Sequence, residues 1–510
     1  MKNLAFSSWI FCLILTFVSA YDISDLNQDQ VFPFSAATSG ESFGTSVSNA
    51  GDINNDGYDD FIIGGPLKQV SGLDFGVAYV VYGREDLTSY DFDFSTTPLE
   101  PSTTGFTILG AHSTGKFGFS VSGAGDLDHD GYDDIIIGAP GDAFDKGVVY
   151  VIFGGEKSSL LDLNLQSNPL FSGSTGFTIT GGMNGDQLGY SVSGAGDINN
   201  DGYDDIIIGA PGKSAQQGAT YVIYGGERSD LMNIDLAVPL DYLTAGFQIT
   251  GSASGTFFGY SVSTAGDLNL DGNNDILIGA PGDNFSKGVV YVFYGGPKPN
   301  LPGRDLSTNP LINSPGEGFT ITGESAGDSL GISVSSVGDI DHDTYDDIII
   351  GAPYKNGGQG AAYVIYGGGG DSLSLVDIHL STPLIPGTNG FTITGASAGD
   401  LFGSSVSNAT DINGDGYSDV IVGAYGKATN QGAVYVIYGG DRSDLGDIDL
   451  VLSLDPSAKG FSLSGIALTG RFGISVSNAG DVNNDGFGDV LIGANGENKA
   501  YLLTYSKNIR

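Results

Sequence analysis

The sequence predicts an all-β fold: a seven-bladed β-propeller of four-stranded blades, closed by an N-terminal strand that completes blade seven. Three observations carry that expectation. A nine-residue pattern, Asp-x-Asp/Asn-x-Asp-Gly-x-x-Asp, starts at Asp52, Asp126, Asp197, Asp267, Asp339, Asp411 and Asp481, at spacings of 74, 71, 70, 72, 72 and 70 residues. Such a period marks one supersecondary unit copied end to end. Each unit also holds four short β-branched and aromatic runs separated by Gly and Pro, which is strand composition, and four strands make a propeller blade. Finally, the strand missing after the seventh unit has a counterpart ahead of the first.

Taken in order, the chain begins with Met1-Lys2, an apolar stretch from Leu4 to Val18, and Val18-Ser-Ala20 before polar Tyr21-Asp22. This is the pattern of a secretory signal peptide over residues 1–20, cut after Ala20. Residues 21–510 then form one propeller domain, and the only cysteine, Cys12, leaves with the leader. An exported chain of this kind relies on metal rather than disulfides. Val31-Phe-Pro-Phe-Ser35 is the expected closing strand, an arrangement that leaves no long unpaired edge. Unit three illustrates the blade: Leu188 to Asp197, the loop, Ile206 to Pro211, Gly218 to Gly225, and Gly246 to Gly251. The third strand of unit seven, Lys499 to Tyr505, is followed only by Ser506 to Arg510, with no span or lipid-anchor tail expected.

Within each acidic loop, positions 1, 3, 5 and 9 offer oxygen side chains. They are Asp52, Asn54, Asp56 and Asp60; Asp126, Asp128, Asp130 and Asp134; Asp197, Asn199, Asp201 and Asp205; Asp267, Asn269, Asp271 and Asp275; Asp339, Asp341, Asp343 and Asp347; Asp411, Asn413, Asp415 and Asp419; Asp481, Asn483, Asp485 and Asp489. Three or four crowded carboxylates repel unless a cation neutralises them. Ca2+ fits best, because it accepts six to eight oxygens in flexible geometry, including a carbonyl such as that of Tyr58, whereas Mg2+ demands a stricter octahedron. About seven Ca2+ ions, one per blade, are expected. An EF-hand is excluded because position 12 is Ile63, Ile137, Ile208, Ile278, Ile350, Val422 or Ile492 instead of an acid. Soft metals lack ligands, since His129 and His342 stand at position 4, between ligand positions. The alternative is a set of Asx turns, which does not by itself require an acid at position 9 in every copy. Copies two and five carry four carboxylates, and copy five has Thr344 where the pattern has Gly, a residue that resists the positive φ of such a turn.

Phe43-Gly44, Phe117-Gly118, Leu188-Gly189, Phe258-Gly259, Leu330-Gly331, Phe402-Gly403 and Phe472-Gly473 each precede an acidic loop, and Gly-Ala-Pro follows at Gly138, Gly209, Gly279 and Gly351. The sequence in this respect resembles the FG-GAP repeats that build the propeller of integrin α-subunits. It departs from them at Gly64-Gly-Pro66, Gly423-Ala-Tyr425 and Gly493-Ala-Asn495, and it keeps the ligand set in all seven blades. The resemblance implies metal loops on one face and ligand contacts on the other, at Pro66 to Gly76, Gly181 to Leu188, Gly251 to Phe258, Gly323 to Leu330 and Gly395 to Phe402.

The formal charge of −41, with only 19 Lys and Arg, excludes nucleic acid and anionic membranes as expected partners. Two sequons, at Asn284 and Asn408, are candidate glycan acceptors. No singular His, Ser or Cys constellation suggests catalysis. The expected function is a secreted Ca2+-binding adhesion or ligand-binding module with an extracellular protein or glycan ligand. The alternatives are a structural coat or matrix protein and, more remotely, a secreted hydrolase.

Overall fold

A computed structural model describes residues 20–26, 30–88, 92–298, 301, 303–311, 316–368, 376–452, 454–455 and 458–504. Residues 1–19, in which the expected leader falls, and the last six residues lie outside that set. The chain forms seven blades, each an antiparallel sheet whose innermost strand leads into the acidic loop. In blade two the strands are Ser120–Gly125, Asp134–Ala139, Val148–Ile152 and Gly176–Thr180, each hydrogen-bonded to the next. The second strand is buried at every residue in all seven blades. Neighbouring blades cover both of its faces, so it reads as a continuous apolar run instead of an alternating one.

The ring closes as the sequence predicts. Val31–Ser35 pairs antiparallel with Lys499–Leu503, Val31 opposite Leu503 and Ser35 opposite Lys499, and supplies the outer strand of blade seven. Packing is between blades: the core around Ile62, Val80 and Phe106 of blade one is shared with Phe117, Ile135 and Ile137 of blade two. The blade-seven to blade-one core is shared in the same way by Phe34, Phe43, Phe61 and Leu502. The recurring glycines mark the closest approach of the backbones. A Cβ on Gly138 would stand 2.1 Å from the carbonyl oxygen of Gly189 in the next blade, and Gly189 itself has φ +79°. Only glycine fits both demands.

Sequence reading missed a fifth, two-residue strand. Leu163–Asn164, Ile234–Asp235, Arg304–Asp305, Ile378–His379 and Ile448–Asp449, each from the linker before a blade's outer strand, pair parallel with the outer strand of the preceding blade. Ala20–Asp22 does the same on Gly460–Ser464, and Asp93 bridges Ser35. The N-terminal segment thus repeats the linker as well as the strand. Its signal was an apolar-polar-apolar triplet, visible as Tyr21-Asp22-Ile23 and Ile448-Asp449-Leu450, too short to register as strand by periodicity.

On the face opposite the acidic loops, the turns between second and third strands in blades two to six include residues in the left-handed conformation, such as Ala143 (φ 50°, ψ 45°) and Phe144 (φ 64°, ψ 46°). Side chains rarely adopt it in succession, because the Cβ crowds the following carbonyl. Phe144 and Phe285 at two of these tips are 86 % and 90 % exposed.

Candidate metal centres

Every acidic loop begins where the innermost strand ends at a one-residue irregularity, as between Gly194 and Gly196, which turns the chain out of the sheet. Inside the loop, the position-1 carboxylate gathers two backbone donors. Asp126 Oδ1 accepts from Asp130 N at 3.0 Å and Oδ2 from Gly131 N at 2.9 Å, and the other loops repeat the pair, as at Asp52 and Asp481. Position 5 caps position 7, for example Tyr132 N to Asp130 Oδ1 at 3.1 Å. The turn bonds of the Asx reading are therefore present. Position 4 takes positive φ, at 57° for His129 and 59° for His342, and both rings are solvent-exposed. His342 stacks on Tyr417 of the next blade at 4.3 Å.

Position 9 is the buried anchor. Asp60, Asp134, Asp205, Asp275, Asp347, Asp419 and Asp489 are all fully buried. Asp205 accepts from Gly225 N at 2.9 Å, Ile198 N at 3.1 Å and Asn199 Nδ2 at 2.9 Å. This acid ties the loop to the end of the third strand, which explains why turn chemistry alone would not demand it. Burial pushes the carboxyls of Asp205, Asp275 and Asp419 up to about 8, with neighbouring loop acids such as Asp201, Asp271 and Asp415 adding to the rise. The same burial holds Asp60, Asp134 and Asp347 well above the ordinary range.

Position 3 divides the loops. In blades one, two, three and five, Asn54, Asp128, Asn199 and Asp341 are buried, and the Oδ1 of each has no hydrogen-bond partner. Buried polar atoms are rarely left so, because an unmet acceptor costs about 1–3 kcal/mol. In blades four, six and seven, Asn269, Asn413 and Asn483 instead accept from the backbone N–H of Asp271, Asp415 and Asp485. Candidate ligand oxygens of Asp126, Asp128 and Asp130 lie within 4.8 Å of one another, as do those of Asp339, Asp341 and Asp347. An acid-only cluster with unmet oxygens at that spacing fits a hard cation such as Ca2+. All predicted ligand residues fall in these loops.

Two sets of residues escaped sequence reading. Position 8 is one: Asp133 accepts from Asp52 N of the preceding blade at 2.8 Å, Asp204 from Asp126 N at 3.0 Å, and Asp346 from Asp267 N at 2.7 Å. The other is a group of basic side chains reaching four of the loops from the next blade, among them Arg228 on Asp128 and Asp130. The recurrent Tyr-Gly-Gly-x-Lys/Arg at the end of third strands was the available signal.

The fold and its loops define a repeat propeller with one acidic site per blade. The FG-GAP repeat profile matches residues 43–81, 117–152, 188–223, 258–293, 330–365, 402–437 and 472–505, the first three strands of each blade. The chain belongs to the FG-GAP repeat proteins, and its ring is integrin-α-like. It is 31 % identical to integrin alpha-5 of Xenopus laevis over 48 % of this chain and 20 % of that protein. It is 28 % identical to integrin alpha-PS2 of Drosophila melanogaster over 66 % and 23 %. Phosphatidylinositol-glycan-specific phospholipase D of Bos taurus is 27 % identical over 78 % of this chain and 46 % of that protein. The chain thus spans less than half the length of these relatives. No helix among the described residues is long and apolar enough to cross a membrane.

Proposed function

We propose that this chain is a secreted, calcium-loaded propeller that acts outside the cell as an adhesion or ligand-binding module, with a protein or glycan as its ligand. The observation that carries the reading is the set of buried, unpartnered position-three oxygens of Asn54, Asp128, Asn199 and Asp341, set in register in four blades. A bound Ca2+ would neutralise the crowded carboxylates and tie each loop into one rigid turn. One ion per blade is proposed, held by positions 1, 3, 5 and 9. Cleavage after Ala20 would release residues 21–510 as a single propeller whose N-terminus lies at the short strand Ala20–Asp22.

Similarity to integrin α-subunits supports an adhesive role. The role proposed is not catalytic, because the acids are repeated ligands and scaffold and form no singular site. Ligand contact is assigned to the face opposite the metal loops, where Phe144 and Phe285 stand exposed. Exposed aromatics anchor interfaces well. Of the two sequons, Asn284 is exposed on this face. Asn408 is half buried in an innermost strand and accepts from Thr410 N, which disfavours a glycan there.

The test is binding to protein and glycan arrays in Ca2+ and in chelator, repeated with Phe144→Ala/Phe285→Ala. Selective, Ca2+-dependent binding that the double variant weakens is the expected result. Absence of any selective ligand would favour a coat or matrix role.

A further inference from the structure

Four residues after the one that follows each third strand stand, in chain order, Asp86, Lys157, Arg228, Lys298, Gly370, Arg442 and Asn508. The four basic ones reach back to the acidic loop of the preceding blade. Lys157 Nζ lies 2.5 Å from Asp56 Oδ2, and Lys298 Nζ lies 2.7 Å from Asp201 Oδ2. Arg228 spans two carboxylates, Nε on Asp128 and Nη2 on Asp130 at 2.7 Å; Arg442 spans Asp341 and Asp343, the latter at 2.5 Å. Under each cation lies an aromatic ring of the loop's own blade: Tyr82 at 5.0 Å, Phe153 at 4.6 Å, Tyr224 at 4.7 Å and Tyr366 at 4.5 Å. The ring faces add attraction for the charge.

This distribution matches two independent features. The two arginines serve the two loops with four carboxylates, where a planar fork can bond two acids at once. Among the described residues, the four loops paired with a basic side chain of this series are also those of blades one, two, three and five, whose position-three oxygen is buried without a partner. Loops four, six and seven, whose counterparts in the sequence series are Gly370, Asn508 and Asp86, have position three folded onto their own backbone. A side-chain cation from the next blade therefore accompanies the inward setting of position three.

We propose that Lys157, Arg228, Lys298 and Arg442 are inter-blade counter-ions of the metal loops, holding four blade junctions together when the loops lack metal and opposing the ion when it binds. The proposal rests on the reading of these loops as Ca2+ sites. Arg228 takes Asp128 Oδ2 and leaves Oδ1 unpartnered, so an ion can enter without expelling the guanidinium and then faces a like charge across one carboxylate. The Asp128 and Asp341 side chains are fully buried, and a buried carboxylate without any cation is strongly destabilising. The arginine consequently stabilises the metal-free loop more than the loaded one.

The test compares the full chain with Arg228→Ala/Arg442→Ala in chelator and in Ca2+. The expected result is a melting temperature lowered much more in chelator than in Ca2+, with Ca2+ binding at the two altered sites tightened several-fold. Equal loss in both conditions would reduce the arginines to ordinary structural ion pairs, and weaker Ca2+ binding would make them orienting groups; either overturns the proposal. Should that variant not fold, Asp86→Lys places a cation beside the loop of blade seven, and it should weaken one Ca2+ site and leave six unchanged. An unaltered site there would also overturn it. If the unmodified chain melts identically in both conditions, the calcium reading fails, while the drop in chelator still reports on the counter-ions.

Discussion

The carboxylate of Asp59 accepts a hydrogen bond from the backbone N–H of Asp481 at 2.7 Å, across 422 positions of sequence. It is the rung that Asp133, Asp204 and Asp346 form at three other junctions, here set between blade one and the C-terminal strands of blade seven, whose outer strand comes from the N-terminus. Ser475 Oγ, donating to the Gly44 carbonyl at 3.0 Å, repeats at the other end of the innermost strand the inter-blade bond of Ser120 to Gly189. The closing junction is thus built from the same parts as the others.

Asp59→Ala leaves the half-buried Asp481 N–H without its acceptor, which should cost about 1 kcal/mol. Removing residues 20–35 should cost far more, since it strips the outer strand from Lys499–Leu503 and bares an edge prone to pairing with a second chain. Thermal melts and size-exclusion chromatography check both. Deletion without loss of stability would contradict the closure.

Acidity should act in opposite senses on the stripped and loaded protein. Asp205, Asp275 and Asp419 have carboxyls raised by burial to about 8, so the metal-free folded state holds protons that the unfolded chain releases near pH 4. Their stabilisation is complete below the unfolded value and is lost as pH rises through about 8. Metal-stripped protein should therefore melt higher at pH 5 than at pH 8. The increment added by Ca2+ should shrink over the same fall in pH, because ions bind deprotonated ligands. Parallel curves with and without Ca2+ would contradict the assignment.

Thr344 holds φ 81° where six loops use glycine at the same position. Thr344→Gly should relieve left-handed strain, offset in part by the greater freedom of glycine in the unfolded chain, for a gain of about 0.5–1 kcal/mol. Chemical denaturation measures it. A destabilised variant would mean that the threonine side chain makes a compensating contact.

The ring, its closing strand and the register of every acidic loop were legible in the sequence because each rests on a period or a motif repeated seven times. What escaped was relational. Asp133 looks like a spare acid beside Asp134 until the preceding blade sets Asp52 against it, and Arg228 lies 98 to 100 positions from the carboxylates it pairs with. The exposure of Phe144 depends on a left-handed turn that Asp-Ala-Phe-Asp does not announce. Position three follows the same rule: Asn199 and Asn269 occupy equivalent places, yet only the first turns its amide to the position-nine acid.

Metal should dominate stability. At a typical extracellular-site affinity of ~0.1 mM and ~1 mM Ca2+, each site contributes about 1.4 kcal/mol, or on the order of 10 kcal/mol over seven independent sites. Asp126→Ala/Asp130→Ala should remove one ion and loosen blade two. The most direct measurement is ion counting by native mass spectrometry on residues 21–510, paired with melts in Ca2+ and in chelator. About seven bound Ca2+ and a large fall in melting temperature on chelation are the predicted result; no bound ions and coincident melts would reduce the loops to turns and contradict the account.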